Sequence, residues 1–239
     1  MASRTADISP LVLTRTAGIL FLILVICGPF SMMYVPETII VPGDATATAD
    51  NVIASETLLR LGIISDAIIF LSEIILIVVL YMLFRPVSKT LSLISAFSRL
   101  AMTVVQGFNL FNYFIPLLLL SGVGYLDVFE QGQLHALALL FLNAHGNVAY
   151  IWEAFFSLHC LVLGYLIFKS GYFPKLLGIL MVFASFGYML DSFGNFLFPL
   201  HRDIYASIVG FAGFFGEAPF YFWLIFKGVN IEQWNKRVL

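Results

Sequence analysis

Apolar residues in this chain gather in long runs, and the runs are interrupted at fairly regular intervals by proline, glycine and charge. Six runs reach about 20 residues, the length a helix needs to cross a hydrocarbon layer ~30 Å thick. They fall at roughly 14–35, 58–84, 99–121, 147–168, 176–198 and 205–226. Pro42-Gly43, Pro86, Gly122 to Gly124, Gly146, Gly171 to Pro174 and Pro199 punctuate them. The apolar stretch 134–168 is too long for one span. Gly146 is therefore expected to divide a short outer interfacial helix near 131–144 from the fourth span. Residues 89–98 are expected to lie along the inner face ahead of the third. The pattern predicts an all-α fold: a polytopic membrane helix bundle of about six transmembrane helices with short loops and one interfacial helix. Residues 1–239 form a single integral membrane domain in this reading.

Composition agrees with the pattern. Of 239 residues, 61% are hydrophobic and 11% charged, whereas a soluble domain carries about a quarter charged residues. Such a chain cannot cover a water-facing surface, so the lipid bilayer is its first partner. The net charge of −2 argues against nucleic acid as another. Cys27 and Cys160 both fall in apolar spans and read as packed thiols. The apolar run 17–35 that follows Arg4 and Arg15 is too long for a signal-peptide core, so an uncleaved first span is expected.

Lys and Arg set the expected orientation. Arg4, Arg15, Arg85, Lys89, Arg99, Lys169, Lys175, Lys227, Lys236 and Arg237 fall on one side of a six-span arrangement, and Arg60 and Arg202 on the other. The crowded side is the cytoplasmic one by the positive-inside rule, with both termini there. Arg99 reads in this count as an interfacial anchor, more than as a counter-ion to Glu73 or Glu217. The three spans running inward end alike, at Phe84-Arg85, Phe168-Lys169 and Phe226-Lys227; aromatic-then-cation endings are ordinary at headgroups.

The candidate chemistry lies in acids within the spans: Asp66, Glu73, Glu153, Asp191 and Glu217. Ionisable groups at membrane depth are costly and usually face a bundle interior or a water-filled cavity. Asp66 and Glu73 are two turns apart on one helix face, about 10.5 Å, too far for one metal. Trp152, Glu153 and His159 lie on the fourth span. His145, Trp152 and His159 form one stripe, but its histidines are about 21 Å apart on a straight helix. His145 is placed at the outer interface, and His135 and His201 at the surface. Tyr188, Asp191 and Asn195 share a stripe on the fifth span. Glu217 follows Gly210, Gly213 and Gly216 and precedes Pro219, a pattern that suggests a broken helix. The alternative is close packing through small residues. Asn109 and Asn112 join Gln106 on the third span. The expected ligand-binding set is therefore Asp66, Glu73, Asn109, Asn112, Trp152, Glu153, His159, Tyr188, Asp191, Asn195 and Glu217. Glu153, His159 and Asp191 are the catalytic candidates if the protein is an enzyme. HExxH, HxxxH and HxxE motifs are absent. No cofactor is predicted, and a metal held from several helices stays open.

The order of several motifs is informative. Val41-Pro42-Gly43-Asp44 leads to Arg60-Leu61-Gly62 and Ser65-Asp66. Later come Leu158-His159-Cys160-Leu161, then Gly164-Tyr165 continuing to Lys175, then Asp191-Ser192-Phe193-Gly194-Asn195. Across about 14–228 the chain resembles a bacterial membrane-protein family, domain of unknown function 4386. The resemblance implies a bacterial inner (cytoplasmic) membrane protein of this length, and it brings no reaction, ligand or catalytic residue.

Three functions remain open at this point. An outward-facing, acidic, aromatic-lined cavity would bind or transport a small cation or amphipathic molecule, with proton coupling as one form. Six spans are few for a complete transporter, so a homodimer is expected there. An intramembrane enzyme would use carboxylate and histidine acid–base or metal-assisted chemistry on a lipid or isoprenoid. A signalling or scaffold protein would use its buried acids only to specify packing.

Overall fold

The computed structural model describes residues 9–238; Arg4 lies outside them. Helices dominate the described residues: α1 (Pro10–Pro29), α2 (Val35–Ile39), α3 (Ala45–Ala54), α4 (Glu56–Phe84), α5 (Lys89–Leu119), α6 (Gln131–Ser170), α7 (Lys175–Leu197), α8 (Arg202–Phe226) and α9 (Ile231–Val238). Six segments are long and apolar enough to cross a membrane: Pro10–Ile39, Glu56–Phe84, Lys89–Leu119, Gln131–Ser170, Lys175–Leu197 and Pro199–Phe226. The chain is a multi-pass membrane protein.

Three expected interruptions are not interruptions. α6 runs unbroken for 40 residues through Gly146, a length of about 60 Å, roughly twice the hydrocarbon thickness. The segment near 131–144 is thus the first part of that helix. Residues 89–98 are likewise the first turns of α5. α8 continues through Gly210, Gly213, Gly216 and Pro219, so Glu217 does not sit at a helix break. The reason is shared by α6 and α8. A glycine weakens a helix only by about 1 kcal/mol, and apolar surroundings that offer no water to competing backbone groups favour continuation.

The chain divides into two compact units, Met1–Leu22, Glu73–Met102 and Trp152–Leu239 forming the first and Ile23–Ser72 and Thr103–Ile151 the second. In the second unit, Val35, Ile39, Val52, Leu59, Tyr113, Leu117 and Leu142 make a buried core. The Pro42-Gly43-Asp44 turn is held by its own chemistry. Gly43 takes φ +78°, a left-handed value that suits glycine. Asp44 then caps α3, its Oδ1 accepting from Ala47 N at 2.9 Å. Between α1 and α2 the chain widens into a π-turn over Phe30–Tyr34. Val35 N bonds back to Phe30 O there, which releases Ser31 O from its normal helical donor. The Tyr113 hydroxyl donates to that carbonyl at 2.7 Å, so the buried acceptor is satisfied.

In the first unit, helices meet through glycine. A Cβ placed on Gly164 would lie 2.7 Å from Gly178 O, and one on Gly178 would lie 2.5 Å from Gly164 O. α6 and α7 therefore touch backbone to backbone. α7 and α8 approach in the same way: a Cβ on Gly187 would lie 2.4 Å from Ala212 Cβ, and one on Gly216 2.5 Å from Ala184 Cβ. Small residues permit such contact in a membrane, where packing rather than hydrophobicity drives association. This close approach brings polar residues of α7 and α8 within hydrogen-bonding distance of each other. Outside the spans, Tyr172 donates to Leu83 O at 2.7 Å, and burial pushes its phenol above the ordinary value, which keeps the donor proton in place.

Candidate functional site

Arg99 occupies the centre of the polar group in the first unit. It is 2% exposed, so it is not an interfacial anchor. Its Nε and NH2 donate to the two oxygens of Glu73 at 2.5 and 2.8 Å, a bidentate charge-assisted pair. Its remaining fork nitrogen meets His159 Nε2 at 2.9 Å. An arginine only donates, so Nε2 accepts and the imidazole proton sits on Nδ1. There it faces Ser95, 2.9 Å from the hydroxyl and 3.0 Å from the carbonyl. The guanidinium lies 5.2 Å from the Phe21 ring centre and 5.4 Å from that of Phe156, distances suited to cation–π attraction. A cavity of about 10 Å³ borders Arg99, His159, Ser92 and Ser95. That is room for about one water molecule.

Aromatic rings continue from this centre to Glu217. Tyr221 stacks on Phe21 with centroids 3.9 Å apart, and its hydroxyl donates to Glu217 Oε2. Tyr188 donates to Glu217 Oε1 at 2.6 Å and meets Phe156 edge-on at 4.7 Å. Both oxygens of Glu217 thus accept from phenols. The Cβ of Gly213, had it one, would lie 2.9 Å from the Tyr188 hydroxyl, so glycine there makes room for this bond.

The third part of the group is Glu153, Asp191 and Asn195, all buried. Glu153 lies beside Asp191. Asn195 Nδ2 donates to Asp191 Oδ1 at 3.0 Å and to its carbonyl at 2.8 Å. Three buried polar atoms here have no hydrogen-bond partner: Glu153 Oε2, Asn195 Oδ1 and Trp152 Nε1. Unsatisfied buried groups are rare and call for a water, an ion or a ligand.

The second unit carries its own polar group. His145 is buried rather than solvated. Its Nε2 lies 3.3 Å from Asp66 Oδ2, and its ring stacks on Tyr113 with centroids 3.5 Å apart. Asn109 donates to His145 O at 2.9 Å, and Asn112 to Asn109 at 2.8 Å. His135 is buried too, 3.4 Å from the Thr46 hydroxyl, whereas His201 is exposed.

The expected site residues therefore fall into two groups. Glu73, Trp152, Glu153, His159, Tyr188, Asp191, Asn195 and Glu217 belong to the first unit; Asp66, Asn109 and Asn112 belong to the second. Within the first, Tyr188 serves Glu217 rather than Asp191, and His159 pairs with Arg99 rather than with an acid. Sequence reasoning missed Ser95, Phe21, Phe156 and Tyr221 there and Tyr113 in the second unit. Tyr221 is one turn from Glu217 on the same face, a signal that was present. Among the described residues no three His, Cys, Asp or Glu side chains are grouped as metal ligands are.

Comparison with known proteins gives a family and no activity. The family model described as Domain of unknown function (DUF4386) matches residues 16–228. An uncharacterized protein of Archaeoglobus fulgidus is 31% identical over 173 residues, covering 72% of this chain and 86% of the relative. No solved structure matches. The chain belongs to the DUF4386 family.

Proposed function

We propose that this member of the family is a membrane protein that takes up a proton, or a small cation in its place, at Glu153, Asp191 and Asn195. Proton-coupled binding or transport of a small cation is the activity that follows. The observation that carries the reading is the pair of unpartnered buried acceptors, Glu153 Oε2 and Asn195 Oδ1, with Asn195 bonded to the Asp191 carboxyl. A hydronium ion or small ammonium donates in several directions and suits open acceptors of this kind. Tyr188, Glu217 and Tyr221 supply further oxygens that can pass a proton onward, and Arg99 with Glu73 gives a fixed charge pair at the end of the row. A single water in the cavity beside His159 extends it.

The enzyme reading has less support. The space beside His159 is too small for a lipid substrate, and the imidazole is held between Arg99 and Ser95. The expectation of an outer mouth and cytoplasmic termini stays part of this proposal, resting on the distribution of Lys and Arg.

The test is proton movement into vesicles containing purified protein, driven by a membrane potential and read with an entrapped pH dye. Wild-type protein is expected to exceed protein-free vesicles, and Asp191→Asn to fall to their level while keeping its elution profile and melting temperature. Infrared difference spectra supply a second readout, in which a protonated-carboxyl band of the wild type disappears in Asp191→Asn. Wild-type vesicles no leakier to protons than empty ones, together with an unchanged carboxyl band in the variant, would overturn the proposal.

A further inference from the structure

A groove on the first unit lies apart from the polar row. Its volume is about 640 Å³, and it is lined by Leu91 of α5, Tyr165 and Phe168 of α6, and Ile179 and Val182 of α7. Gly164 and Gly178 also line it; they are the pair whose backbones touch, so missing side chains at the α6–α7 crossing create the hollow. The lining is nearly all carbon. Apolar surface alone is unremarkable in a membrane protein, because acyl chains lie against all of it.

Charge at one end makes this groove different. Lys169 Nζ sits 5.9 Å from the centre of the Tyr165 ring, and Lys175 Nζ 5.4 Å from that of Phe168. Both rings line the groove, so both ammonium groups lie close to its lining. Arg237 joins them, its guanidinium donating to Lys169 O at 2.7 Å. All three side chains are exposed, and none takes part in a salt bridge among the described residues. The three cations come from the end of α6, the start of α7 and α9, so the fold gathers them from separate stretches of sequence.

We infer that this groove binds one anionic phospholipid, its acyl chain along the α6–α7 crossing and its phosphate among Lys169, Lys175 and Arg237. A carbon-lined channel takes the chain without leaving a polar group unpaired. Two lysines and an arginine take the phosphate, as basic pockets between membrane helices do for lipid headgroups. A zwitterionic lipid fits the channel equally well but brings its own cation to the basic rim, so headgroup charge sets the preference. The site is independent of Glu153, Asp191 and Glu217, and it can stand or fall without them.

The experiment is native mass spectrometry of delipidated full-length protein in neutral detergent. It is mixed with equal amounts of phosphatidylglycerol and phosphatidylcholine carrying the same acyl chains. With Lys169 and Lys175 counted alone, the first bound lipid is expected to be phosphatidylglycerol by roughly thirtyfold, at ~1 kcal/mol per cation. Lys169→Gln with Lys175→Gln should remove the preference, and Arg60→Gln should leave it intact. Ile179→Trp, which fills the channel at a lipid-exposed position, should lower retention of the first lipid of either kind. Equal retention of the two lipids by wild type overturns the inference, as does a preference that survives the double lysine variant. An unchanged first-lipid retention in Ile179→Trp overturns the placement of the chain in the groove.

Discussion

The Arg99–Glu73 pair makes the strongest quantitative prediction. Replacing Arg99 by Met leaves a carboxylate that is 2% exposed with both of its charged donors gone. Removing one partner of a buried ion pair costs about 3–5 kcal/mol, because the other charge stays buried and uncompensated. The bond to His159 adds about 1 kcal/mol, and attraction to Phe21 and Phe156 about 0.5–2 kcal/mol at each ring. Methionine retains part of the packing, so a net loss of about 4–6 kcal/mol is expected. Glu73→Gln should cost about 3–5 kcal/mol by the same reasoning, since it strands the guanidinium. The double variant Arg99→Met with Glu73→Gln strands no charge, and it should lose only about 1–3 kcal/mol. The coupling is therefore favourable by several kcal/mol and opposite in sense to additivity. Reversible unfolding in mixed micelles of increasing denaturing-detergent content measures all four proteins on one scale. A double variant as unstable as the sum of the two singles would refute the argument, because the cost would then lie in packing rather than in a stranded charge.

Two further predictions concern packing and backbone. Gly216→Val forces a side chain against Ala184 and Leu180 O, from which even a bare Cβ would lie only 2.5 and 2.7 Å; a loss of about 1–3 kcal/mol or more is expected from overpacking. Gly107→Ala, with nothing within 4 Å, should be neutral or stabilising by up to about 1 kcal/mol, and the two melting temperatures compared in one detergent decide it. Tyr113→Phe removes the hydroxyl donor on the buried Ser31 O, so about 1–3 kcal/mol should be lost, with faster amide exchange around the π-turn as the local readout.

The helices were legible because composition alone forces them: a chain this apolar must satisfy its backbone internally. Their ends were less so. Gly146 and the Gly210-to-Pro219 stretch are punctuation in water, but α6 and α8 run through them. The residue types of the polar group were also legible, since charge at membrane depth is rare whatever its partner. Which partner each takes was not. Arg99 reads as an anchor in sequence because it stands near the end of an apolar run, yet α5 begins ten residues earlier, at Lys89, and carries it inward to Glu73. His145 looked interfacial for the same reason: the fourth span was started at 147 instead of within a longer helix. Both pairings depend on which helices cross, a long-range property that hydropathy along the chain does not carry. Periodicity would have found Tyr221 beside Glu217; nothing local pointed to Phe21, which reaches Arg99 from another helix.

A balance of charge links the polar row to the proposed activity. Among the described residues, Glu73, Glu153, Asp191 and Glu217 are buried in the first unit, and Arg99 is the buried cation there. His159 accepts from Arg99 and so adds no charge. Bidentate geometry assigns Arg99 to Glu73, which leaves three carboxyl groups with no cationic side chain bonded to them. Isolated carboxylates cost far more to bury than the whole stability of a domain provides, so charge on any of the three needs strong donors, a proton or a bound cation to offset it. The hydrogen bonds separate them. Glu217 has two phenol donors, enough to stabilise a charge without help from outside. Asp191 has one asparagine donor, and Glu153 Oε2 is left open. Whatever neutralises the row is therefore expected to enter and leave at Glu153 and Asp191, with Glu217 able to hold charge while it does. A fixed scaffold has no need of that asymmetry, since an amide in place of either acid would complete the same contacts at lower cost.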